Sequence, residues 1–450
     1  MEVTIQDTVA IQPSTPPFSQ DHTLPLSHLD TDPNMNVTFR YFRVYANTTA
    51  NNNSNHPFDV ISAGLSSALV QYYPLAATLR RRDLDGRLEL CCSDGQGVPL
   101  INATVGCTLA SLSYLEDPES DFVERLVPDP CPDDGLVNPC MLQVTMFECG
   151  GFTLGAALHH AVCDGMGATQ FFNVMAEFAR GVDRVRAEPV WNRTEVLKPR
   201  DPPQVEGAAV KDFLELKKGF EPYCQEVGKI GRQCFDVKDE WLDRFKNLLL
   251  EKSGMNFTTF EALGAFIWRA KVKVSEIPGH EKVKFCYAIN IRKLVKPPLP
   301  AGYWGNGCVP MYAQILAKDL VEQPIWKTAE LIKKSKINAT DEYVRSFIDF
   351  QEVHYADGIT AGNRVSGLTD WRHLGHATVD FGWGGPVSVF PLSRRLLGSV
   401  EPCFFLPYSS ANVGAPKDGF KVLVTLEESL LPAFKKEMEK FSCQDNNSSL

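Results

Sequence analysis

The alternation of hydrophobic and polar residues predicts both strands and helices along most of the chain. Strict alternation, or a dense run of aromatic and β-branched residues, is typical of a strand. Hydrophobic residues three and four positions apart are typical of a helix. The predicted strands are 3–11, 37–45, 87–91, 142–147, 152–160, 285–291, 309–316, 378–381, 387–390, 403–406 and 420–426, with another around Phe235. The predicted helices are 60–72, 168–180, 240–250, 259–271, 324–337, 339–350 and 430–441.

The stretch that ends at Asp164 has a pattern that suggests chemistry. Every second residue from Phe152 to Leu158 is apolar, and the row ends in the imidazole of His160. This is the pattern of a half-buried strand. A turn at Asp164-Gly165 and a predicted helix follow directly. We therefore expect His160 at a strand end, where its side chain reaches into a cleft while the sheet holds it rigid.

The pattern fails between Val182 and Val205, where four prolines lie among charged residues. Such a segment is typical of a connection rather than of a helix or strand. A chain of 450 residues is also too long for one ordinary hydrophobic core. We therefore predict two domains, residues 1–181 and 223–450, joined by a crossover segment at residues 182–222. Both parts contain strands and helices, so the predicted fold class is α/β.

Composition and charge narrow the class of protein. A hydrophobic content of 44% and a charged content of 22% are typical of a soluble globular protein. The net charge of -10 argues against a nucleic-acid-binding surface, which is normally basic. No apolar run approaches the roughly 20 residues of a membrane helix, and the N-terminus does not resemble a secretory signal. The 13 cysteines, an odd number without C-x-x-C pairs, fit free thiols. We expect a cytoplasmic protein that binds neither nucleic acid nor membrane.

His160 is the leading candidate for a catalytic residue. A neutral imidazole can accept a proton in a transition state near neutral pH, which contributes about 10²–10⁴-fold to a rate. The alternative is a core histidine satisfied by a backbone carbonyl, which is the commoner role at a strand end. We apply that interpretation to His159, which points to the opposite face of the strand. For His160, the H-x-x-x-D-G spacing from His160 to Gly165 favours catalysis.

Two neighbours of His160 leave other mechanisms open. Asp164 could join His160 as a metal ligand or orient it in a triad. No third ligand with a metal-site spacing and no G-x-S-x-G nucleophile are present, so we predict no metal site. Cys163 suggests a covalent mechanism, although a small buried residue in a turn is the favoured interpretation. No dinucleotide-binding or phosphate-binding glycine loop occurs, and no bound cofactor is predicted.

Two stretches in the second half of the chain contain further candidates. Asp380, Gly382 and Gly384 surround Trp383. Glycines permit backbone conformations that other residues avoid and allow a close approach of a ligand or another segment. The alternative is a turn packed by the tryptophan. Arg292 follows a predicted strand and could pair with a buried carboxylate, or it could be a solvated surface arginine.

Taken together, these motifs resemble those of the plant BAHD acyltransferases, which use acyl-CoA donors. The family pattern H-x-x-x-D-G matches residues 160–165, and D-F-G-W-G matches residues 380–384 without a departure. The H-x-x-x-D pattern alone is shared with carnitine, chloramphenicol and peptide-condensing acyltransferases. The similarity nevertheless runs nearly end to end, and Ala77-Thr78 replaces the usual Gly-Arg. The further matching stretches are 73–76, 290–292 and 297–306.

The resemblance implies two chloramphenicol-acetyltransferase-like domains, each a mixed sheet flanked by helices, with an active-site channel between them. It implies that His160 is the general base. Asp164 would turn away from His160 and pair with Arg292, so that Asp164, Gly165 and Arg292 hold the turn. These residues would then support the site without taking part in proton transfer.

The resemblance also assigns roles to the D-F-G-W-G stretch. Asp380, Gly382 and Gly384 would shape the fold and the passage of CoA, away from the histidine. Trp383 is a candidate for an oxyanion contact, because the family's tryptophan lies close to the acyl group in some members. The residues that bind CoA are not identified.

The implied reaction is transfer of an acyl group from acyl-CoA, as co-substrate, to the hydroxyl of a small plant specialised metabolite in a ternary complex. Residues 188–193 and 302–306 are most similar to the branch with taxane, benzoyl and hydroxycinnamoyl transferases. That branch favours acetyl-, benzoyl- or hydroxycinnamoyl-type donors. The alternatives are an N-acyltransferase acting on an amine or polyamine, a non-catalytic acyl-CoA-binding protein, and an acyl-CoA hydrolase. We expect a monomer.

Overall fold

The computed structural model describes residues 2–47, 56–116, 121–205, 209–220, 228–394, 396, 401–410 and 418–442. The strands in these residues are β1 (Val3–Ile11), β2 (His22–Pro25), β3 (Thr38–Tyr45), β4 (Thr78–Arg81), β5 (Leu88–Cys92), β6 (Val98–Val105), β7 (Cys140–Phe147), β8 (Phe152–His159), β9 (Glu215–Leu216), β10 (Ile230–Val237), β11 (Lys282–Asn290), β12 (Cys308–Leu316), β13 (Ile359–Thr360), β14 (Val365–Asp370), β15 (Ser388–Pro391), β16 (Cys403–Leu406) and β17 (Phe420–Glu427). The α-helices are α1 (Pro57–Ala68), α2 (Asp121–Glu124), α3 (Pro132–Val137), α4 (Gly165–Ala179), α5 (Arg193–Val196), α6 (Asp239–Ser253), α7 (Thr259–Val274), α8 (Ala317–Glu322), α9 (Ile325–Ser335), α10 (Asp341–His354) and α11 (Leu431–Ser442).

Two six-stranded sheets form the framework of the described part of the chain. The first sheet has the order β1-β6-β7-β8-β3-β15, and only the β6–β7 pair within it is parallel. The second sheet has the order β10-β17-β16-β14-β11-β12, and β14 runs parallel to both of its neighbours. Both sheets are therefore mixed and flanked by helices, which confirms the predicted α/β fold class.

Strand β8, which leads to the histidine motif, lies in the interior of the first sheet between β7 and β3. All of its residues are buried, so the prediction of a half-buried strand is wrong. The second face is covered because the segment at Leu126 and Val127 packs directly against it. A Cβ on Gly155 would lie 2.1 Å from the carbonyl oxygen of Leu126. Small residues on this face allow that close approach.

Strand β15 ties the two halves of the chain together. It belongs to the C-terminal half in sequence but pairs antiparallel with β3 of the first sheet, with Phe390 opposite Phe42. Val387 continues this pairing through a hydrogen bond from its N–H to the carbonyl oxygen of Val44, at 2.7 Å. The first sheet is thus not built from residues 1–181 alone. The division into domains 1–181 and 223–450 stays a prediction. In that division, β15 belongs to the C-terminal domain by sequence but pairs within the sheet of the N-terminal domain.

Most predicted strands and helices coincide with those of the structure to within a few residues, and 403–406 agrees with β16. The strand predicted at 378–381 is wrong. Residues His376–Thr378 form a single 3₁₀ turn, and the chain then enters the glycine-rich loop without pairing. Strands β6 and β14 were not predicted. They contain Pro99 and Gly367, which are unfavourable in strands, and pairing with neighbouring strands overrides that local preference.

The described residues bear on two further expectations. No helix among them combines the length and the apolar character that crossing a bilayer requires. The cysteines that the structure describes are free thiols. Residues 206–208 and 221–227, which include the end of the predicted crossover segment, lie outside the described residues.

Candidate active site

A cavity of about 460 Å³ lies where the end of β8 meets the second sheet. The first sheet contributes side chains from β3 and β8, and the second contributes side chains from β11 and β14. Aromatic rings form a large part of the wall, so the lining is mainly apolar. The lining includes Phe39, Tyr41, His160, Cys163, Trp371 and His376.

His160 follows directly after β8 and lines this cavity. Its main-chain N–H donates to the carbonyl oxygen of Val37 at 2.8 Å, which continues the pairing with the β3 side of the sheet. The imidazole is partly exposed, packs edge-on against Phe39, and has Nδ1 3.1 Å from Oδ1 of Asn306. Burial lowers the pKa of His160 below its ordinary value of 6.5, although Asp164 and Asn306 oppose that effect. The imidazole is therefore neutral near pH 7 and can accept a proton.

His159 differs from its neighbour in every respect that matters for catalysis. Its side chain is buried, and Nδ1 accepts a hydrogen bond from the main-chain N–H of Ala161 at 3.3 Å. Burial lowers the pKa of His159 to about 3, so the ring stays neutral across the physiological range. The strand alternation thus separates one histidine that faces the cavity from one that lies in the core.

Asp164 caps the N-terminus of α4 and lies in a bidentate ion pair with Arg292. Its Oδ1 accepts from the N–H of Gly167 at 2.8 Å and from Arg292 Nη2 at 2.9 Å. Its Oδ2 accepts from Arg292 Nη1 at 2.9 Å and from the N–H of Gly307 at 3.0 Å. Burial alone would raise the pKa of Asp164, but Arg292 and the two N–H groups hold it below its ordinary value. These donors occupy both oxygens, and the carboxylate supports the turn rather than His160.

Arg292 connects the turn at α4 to the loop that precedes β12. Besides Asp164, its guanidinium donates to the carbonyl oxygens of Gly305, at 3.0 Å, and Gly307, at 3.4 Å. Gly307 lies so close that a Cβ there would be 2.5 Å from Arg292 Nη1. One arginine thereby joins the histidine motif in the first half of the chain to residues 305–307 in the second half.

The first turn of α4 packs so closely against the same loop that position 167 requires glycine. The sequence pattern alone does not indicate this requirement. A Cβ on Gly167 would lie 1.8 Å from the carbonyl oxygen of Trp304, a backbone atom that cannot rotate away. We expect Gly167→Ala to lower the free energy of unfolding by about 3 kcal/mol, because overpacking moves the backbone. The matched control is Gly165→Ala, where the nearest atom is the flexible Leu374 Cδ1 at 3.2 Å. Urea unfolding of both variants measures the difference, and equal losses would contradict this account.

Asp380, Gly382 and Gly384 form a compact turn. Oδ1 of Asp380 accepts hydrogen bonds from the N–H groups of Gly382, at 2.7 Å, and Gly384, at 2.9 Å. Both glycines have positive φ angles, 107° and 83°, which favour glycine over other residues. The loop is anchored by the hydroxyl of Tyr45, which donates to the carbonyl oxygen of Val379 at 3.0 Å. The carboxylate thus organises the loop that leads into β15.

The structure does not bring Trp383 to His160. The indole is buried edge-on against Phe152, with ring centroids 5.4 Å apart, and is not part of the cavity lining. Phe152 and His160 lie at opposite ends of β8, which spans roughly 23 Å at about 3.3 Å per residue. The geometry does not support an oxyanion contact from Trp383, because the length of β8 separates its side chain from that of His160.

Several residues next to the site were not assigned a role from the sequence. Asp30 and Arg193 are buried charged residues, 3.4 Å apart, and Arg193 reaches in from the predicted crossover segment. Arg193 also donates to the carbonyl oxygen of Val162 at 2.7 Å and packs over the Trp304 ring. Asn306 lies in a stretch matched to the family, but only its contact with His160 shows its significance. A buried pair that is distant in sequence leaves no periodic signal.

Every charged side chain on the described cavity wall has a partner of opposite charge. Asp164 pairs with Arg292, as described above. Asp370 accepts two hydrogen bonds from the guanidinium of Arg372, at 2.9 and 2.6 Å. Lys336 lies 2.8 Å from Glu261. Among the described residues, no group of three or more His, Cys, Asp or Glu side chains is placed to hold a metal ion. The cavity therefore presents a neutral, largely aromatic surface to a ligand.

Fold and site together define the class of protein: a two-sheet α/β protein with a neutral histidine on the wall of a cavity between the sheets. The Transferase family matches residues 1–441, and the chain belongs to this family, the BAHD acyltransferases. It is therefore an enzyme of the acyltransferase class.

Known relatives carry out both N- and O-acylation. The chain is 34% identical to a 3'-N-debenzoyl-2'-deoxytaxol N-benzoyltransferase of Taxus canadensis, over 96% of this chain and 95% of the relative. It is 33% identical to a spermidine sinapoyl-CoA acyltransferase of Arabidopsis thaliana, over 93% of each chain. It is 32% identical to a taxadien-5-alpha-ol O-acetyltransferase of Taxus chinensis, over 98% of this chain and 97% of the relative.

Solved structures confirm the two-sheet fold. Vinorine synthase superposes with a TM-score of 0.74 at 19% identity and covers 98% of both chains. TRI101 of F. graminearum, in complex with coenzyme A and deoxynivalenol, superposes with a TM-score of 0.75 at 15% identity. That alignment covers 93% of this chain and 98% of the other.

Proposed function

We propose that the protein transfers an acyl group from acyl-CoA to the hydroxyl of a plant specialised metabolite, with His160 as the general base in a ternary complex. The observation that carries this proposal is the position of His160. Its imidazole borders the cavity and has a pKa below 6.5, so that it is neutral at physiological pH. A base of this kind accepts a proton without first having to lose one.

The proposed reaction has two proton transfers. His160 removes the proton of the acceptor hydroxyl while the oxygen attacks the carbonyl carbon of the thioester. The tetrahedral intermediate collapses, the C–S bond breaks, and the electron pair leaves with the sulfur of CoA. The imidazolium then returns its proton to that thiolate, so that the products are the ester and free CoA and His160 is neutral again.

The covalent alternative through Cys163 has less support. Cys163 is buried, and burial raises the pKa of its thiol to about 12. A thiol must be deprotonated to act as a nucleophile, and reactive cysteines have a pKa well below the ordinary value. Among the described residues, no hydrogen bond joins Cys163 to His160 that would let the imidazole remove its proton. The environment is that of an inert core cysteine.

The cavity wall favours a neutral acceptor and an aromatic donor. A polyamine cation would leave water for a site whose two carboxylates are already neutralised by Arg292 and Arg372. An unpaired buried charge is costly, so a neutral alcohol fits this surface better. Phe39, Tyr41 and Trp371 form an aromatic cluster, with ring centroids 5.6 to 6.1 Å apart. Such a wall suits the ring of a benzoyl or hydroxycinnamoyl group.

A donor and acceptor panel tests the proposed function. We expect purified protein to transfer benzoyl or hydroxycinnamoyl groups to alcohols with a kcat/KM at least tenfold above that for spermidine. Mass spectrometry of the products, at several donor concentrations, measures the ratio. Faster turnover of spermidine would instead favour an N-acyltransferase. Binding of acyl-CoA without product in any combination would indicate the non-catalytic alternative, and free acid formed without an acceptor would indicate hydrolysis.

N-acylation of a neutral amine is the second candidate. The relative with 34% identity is named as an N-benzoyltransferase. A neutral amine would require the same base and would meet the same neutral cavity wall. A panel that includes aromatic and aliphatic monoamines at pH values above their pKa distinguishes this candidate from the alcohol.

A further inference from the structure

The side-chain amide of Asn306 lies between the proposed base and a fully buried carboxylate. Asn306 Oδ1 is 3.1 Å from His160 Nδ1. Asn306 Nδ2 is 2.9 Å from Asp30 Oδ1 and 2.8 Å from the carbonyl oxygen of His160. The main-chain N–H of Asn306 also donates to Asp30 Oδ1, at 2.8 Å. The amide oxygen of Asn306 therefore faces a ring nitrogen of His160, and the amide nitrogen faces two hydrogen-bond acceptors.

These contacts determine which way the amide faces. Both hydrogens of Nδ2 point to acceptors, a carboxylate and a carbonyl oxygen, and an amide nitrogen can supply both. If the amide turned over, its oxygen would face two acceptors at once, and both hydrogen bonds would be lost. The network thus assigns oxygen to the side that faces His160, which is the usual basis for such an assignment.

Asp30 is held as an acceptor by its surroundings. It is 0% exposed. Its Oδ2 accepts hydrogen bonds from the N–H and the hydroxyl of Ser27, at 3.1 and 2.8 Å. Arg193 Nη1 lies 3.4 Å from the same oxygen. Donors therefore surround both oxygens of Asp30, and each oxygen acts as a hydrogen-bond acceptor.

We propose that Asp30 is a positioning residue that acts through Asn306 and holds His160 in the tautomer with its proton on Nδ1. An amide oxygen can only accept, so the nitrogen that faces it must carry the hydrogen. Nε2 is then left with its lone pair as the basic nitrogen. This inference rests on the proposed role of His160 as general base and adds the group that selects the basic nitrogen.

Asp164, the carboxylate of the H-x-x-x-D motif, is not placed for this task. Its oxygens accept from Arg292, Gly167 and Gly307, and none of these contacts reaches the imidazole. The carboxylate close in sequence supports the turn, whereas the one that orients the base comes from the N-terminal part of the chain. Asp30 contacts neither the cavity nor the reacting atoms.

The test is Asp30→Asn in the full-length enzyme. An amide at position 30 can present its nitrogen to Asn306, which removes one of the two acceptors that fix the Asn306 amide. The carbonyl oxygen of His160 remains as the other acceptor, so the selection of the tautomer is weakened. We expect kcat to fall by at least about twofold while KM for acyl-CoA is unchanged, because proton transfer is impaired and binding is not.

A second readout does not depend on turnover. Diethyl pyrocarbonate modifies an unprotonated, accessible imidazole nitrogen, and peptide mass spectrometry with fragment ions separates His160 from His159. We expect the modification rate of His160 to fall by about twofold in Asp30→Asn, with the exposed His280 as an internal reference. The matched control is Asp349→Asn, since Asp349 is equally buried and pairs with Arg200 at 2.6 Å away from the cavity. This control should leave the rate at His160 unchanged.

Asn306→Leu keeps the inference testable if Asp30→Asn does not fold. Leucine has a similar size, removes the acceptor next to Nδ1, and leaves Asp30 with Ser27 and Arg193. It should also lower kcat and the modification rate at His160. An unchanged modification rate in a folded Asp30→Asn or Asn306→Leu variant overturns the inference, whatever happens to kcat. Retained activity in His160→Ala would instead overturn the proposed function, and the modification rates would still report the tautomer.

Discussion

We expect His160→Ala to reduce kcat by about 10³-fold or more while the protein stays folded. General-base catalysis typically contributes about 10²–10⁴-fold, and no other group on the described cavity wall is a neutral base with a lone pair available near pH 7. His376 also lines the cavity, but its buried ring has Nδ1 3.4 Å from a nitrogen of Arg43 and its Nε2 is enclosed. Steady-state kinetics with the best donor and acceptor pair measures the loss.

His159→Asn is the matched control for this prediction. The Oδ1 of asparagine can replace Nδ1 as acceptor for the N–H of Ala161, so the turn is preserved. We expect kcat within about threefold of the wild-type value, because His159 lies on the other side of the strand from the cavity. If His160→Ala keeps more than a few per cent of the activity while the control behaves as expected, His160 is not the base.

The pH profile gives an independent check on the same residue. Because the pKa of His160 is lowered from 6.5, its neutral form persists below that value. We therefore expect kcat/KM to fall on the acid side only as the pH drops through the lowered pKa, below 6.5. An acid limb centred above 6.5 would show that another group controls the reaction.

The sequence was most informative where a local pattern determines the structure. Strand β8 and the histidine at its end could be predicted from alternation, because successive side chains of a strand point to opposite faces. Helix α7 is similarly clear from its periodicity, and it begins at a Thr258 capping box with Glu261. Position in the sheet was less accessible, since the burial of both faces of β8 depends on the distant segment at Leu126.

In the candidate site, too, local motifs could be predicted from the sequence, whereas contacts between distant residues could not. His160 could be singled out by its spacing from Asp164, whereas the pairing of Asp164 with Arg292 came only from the resemblance to a family. The sequence does not connect Asp30 and Asn306 to His160, because no local motif marks Asp30 or relates either residue to the imidazole. Their roles depend on contacts between residues that are distant in sequence. The family resemblance makes Trp383 a candidate for an oxyanion contact, whereas in the structure it packs against Phe152 at the far end of the strand.

The ion pair between Asp164 and Arg292 should have the largest effect on stability. Asp164→Ala leaves the guanidinium of Arg292 with no anionic partner in a side chain that is only 16% exposed. Removing one partner of a buried pair typically costs about 3–5 kcal/mol, and the N-cap of α4 is lost as well. We expect the free energy of unfolding to fall by about 4 kcal/mol in urea titrations.

Two comparisons separate the ion pair from other causes. Asp380→Ala removes a carboxylate that accepts two main-chain hydrogen bonds but has no cationic partner among the described contacts, so its expected cost is only about 1 kcal/mol. The double variant Asp164→Leu/Arg292→Leu should be more stable than Asp164→Ala, because apolar replacement of both partners removes the unpaired charge. Equal losses in Asp164→Ala and Asp380→Ala would contradict a special role for Arg292.

The Asp164–Arg292 ion pair also predicts how the free energy of unfolding depends on pH. The pKa of Asp164 is lower in the folded protein than its ordinary value of 3.8, so folding favours the ionised form. Its contribution is therefore complete above pH 3.8, declines as the pH falls below that value, and is lost once the pH passes the lowered pKa of the folded state. Arg292 stays charged throughout this range. A comparison of wild type with Asp164→Asn should show that their difference in free energy of unfolding is constant near pH 7 and shrinks below pH 3.8. A difference that grows on acidification would reverse the sign of the linkage and show that the carboxylate does not hold the turn through its charge.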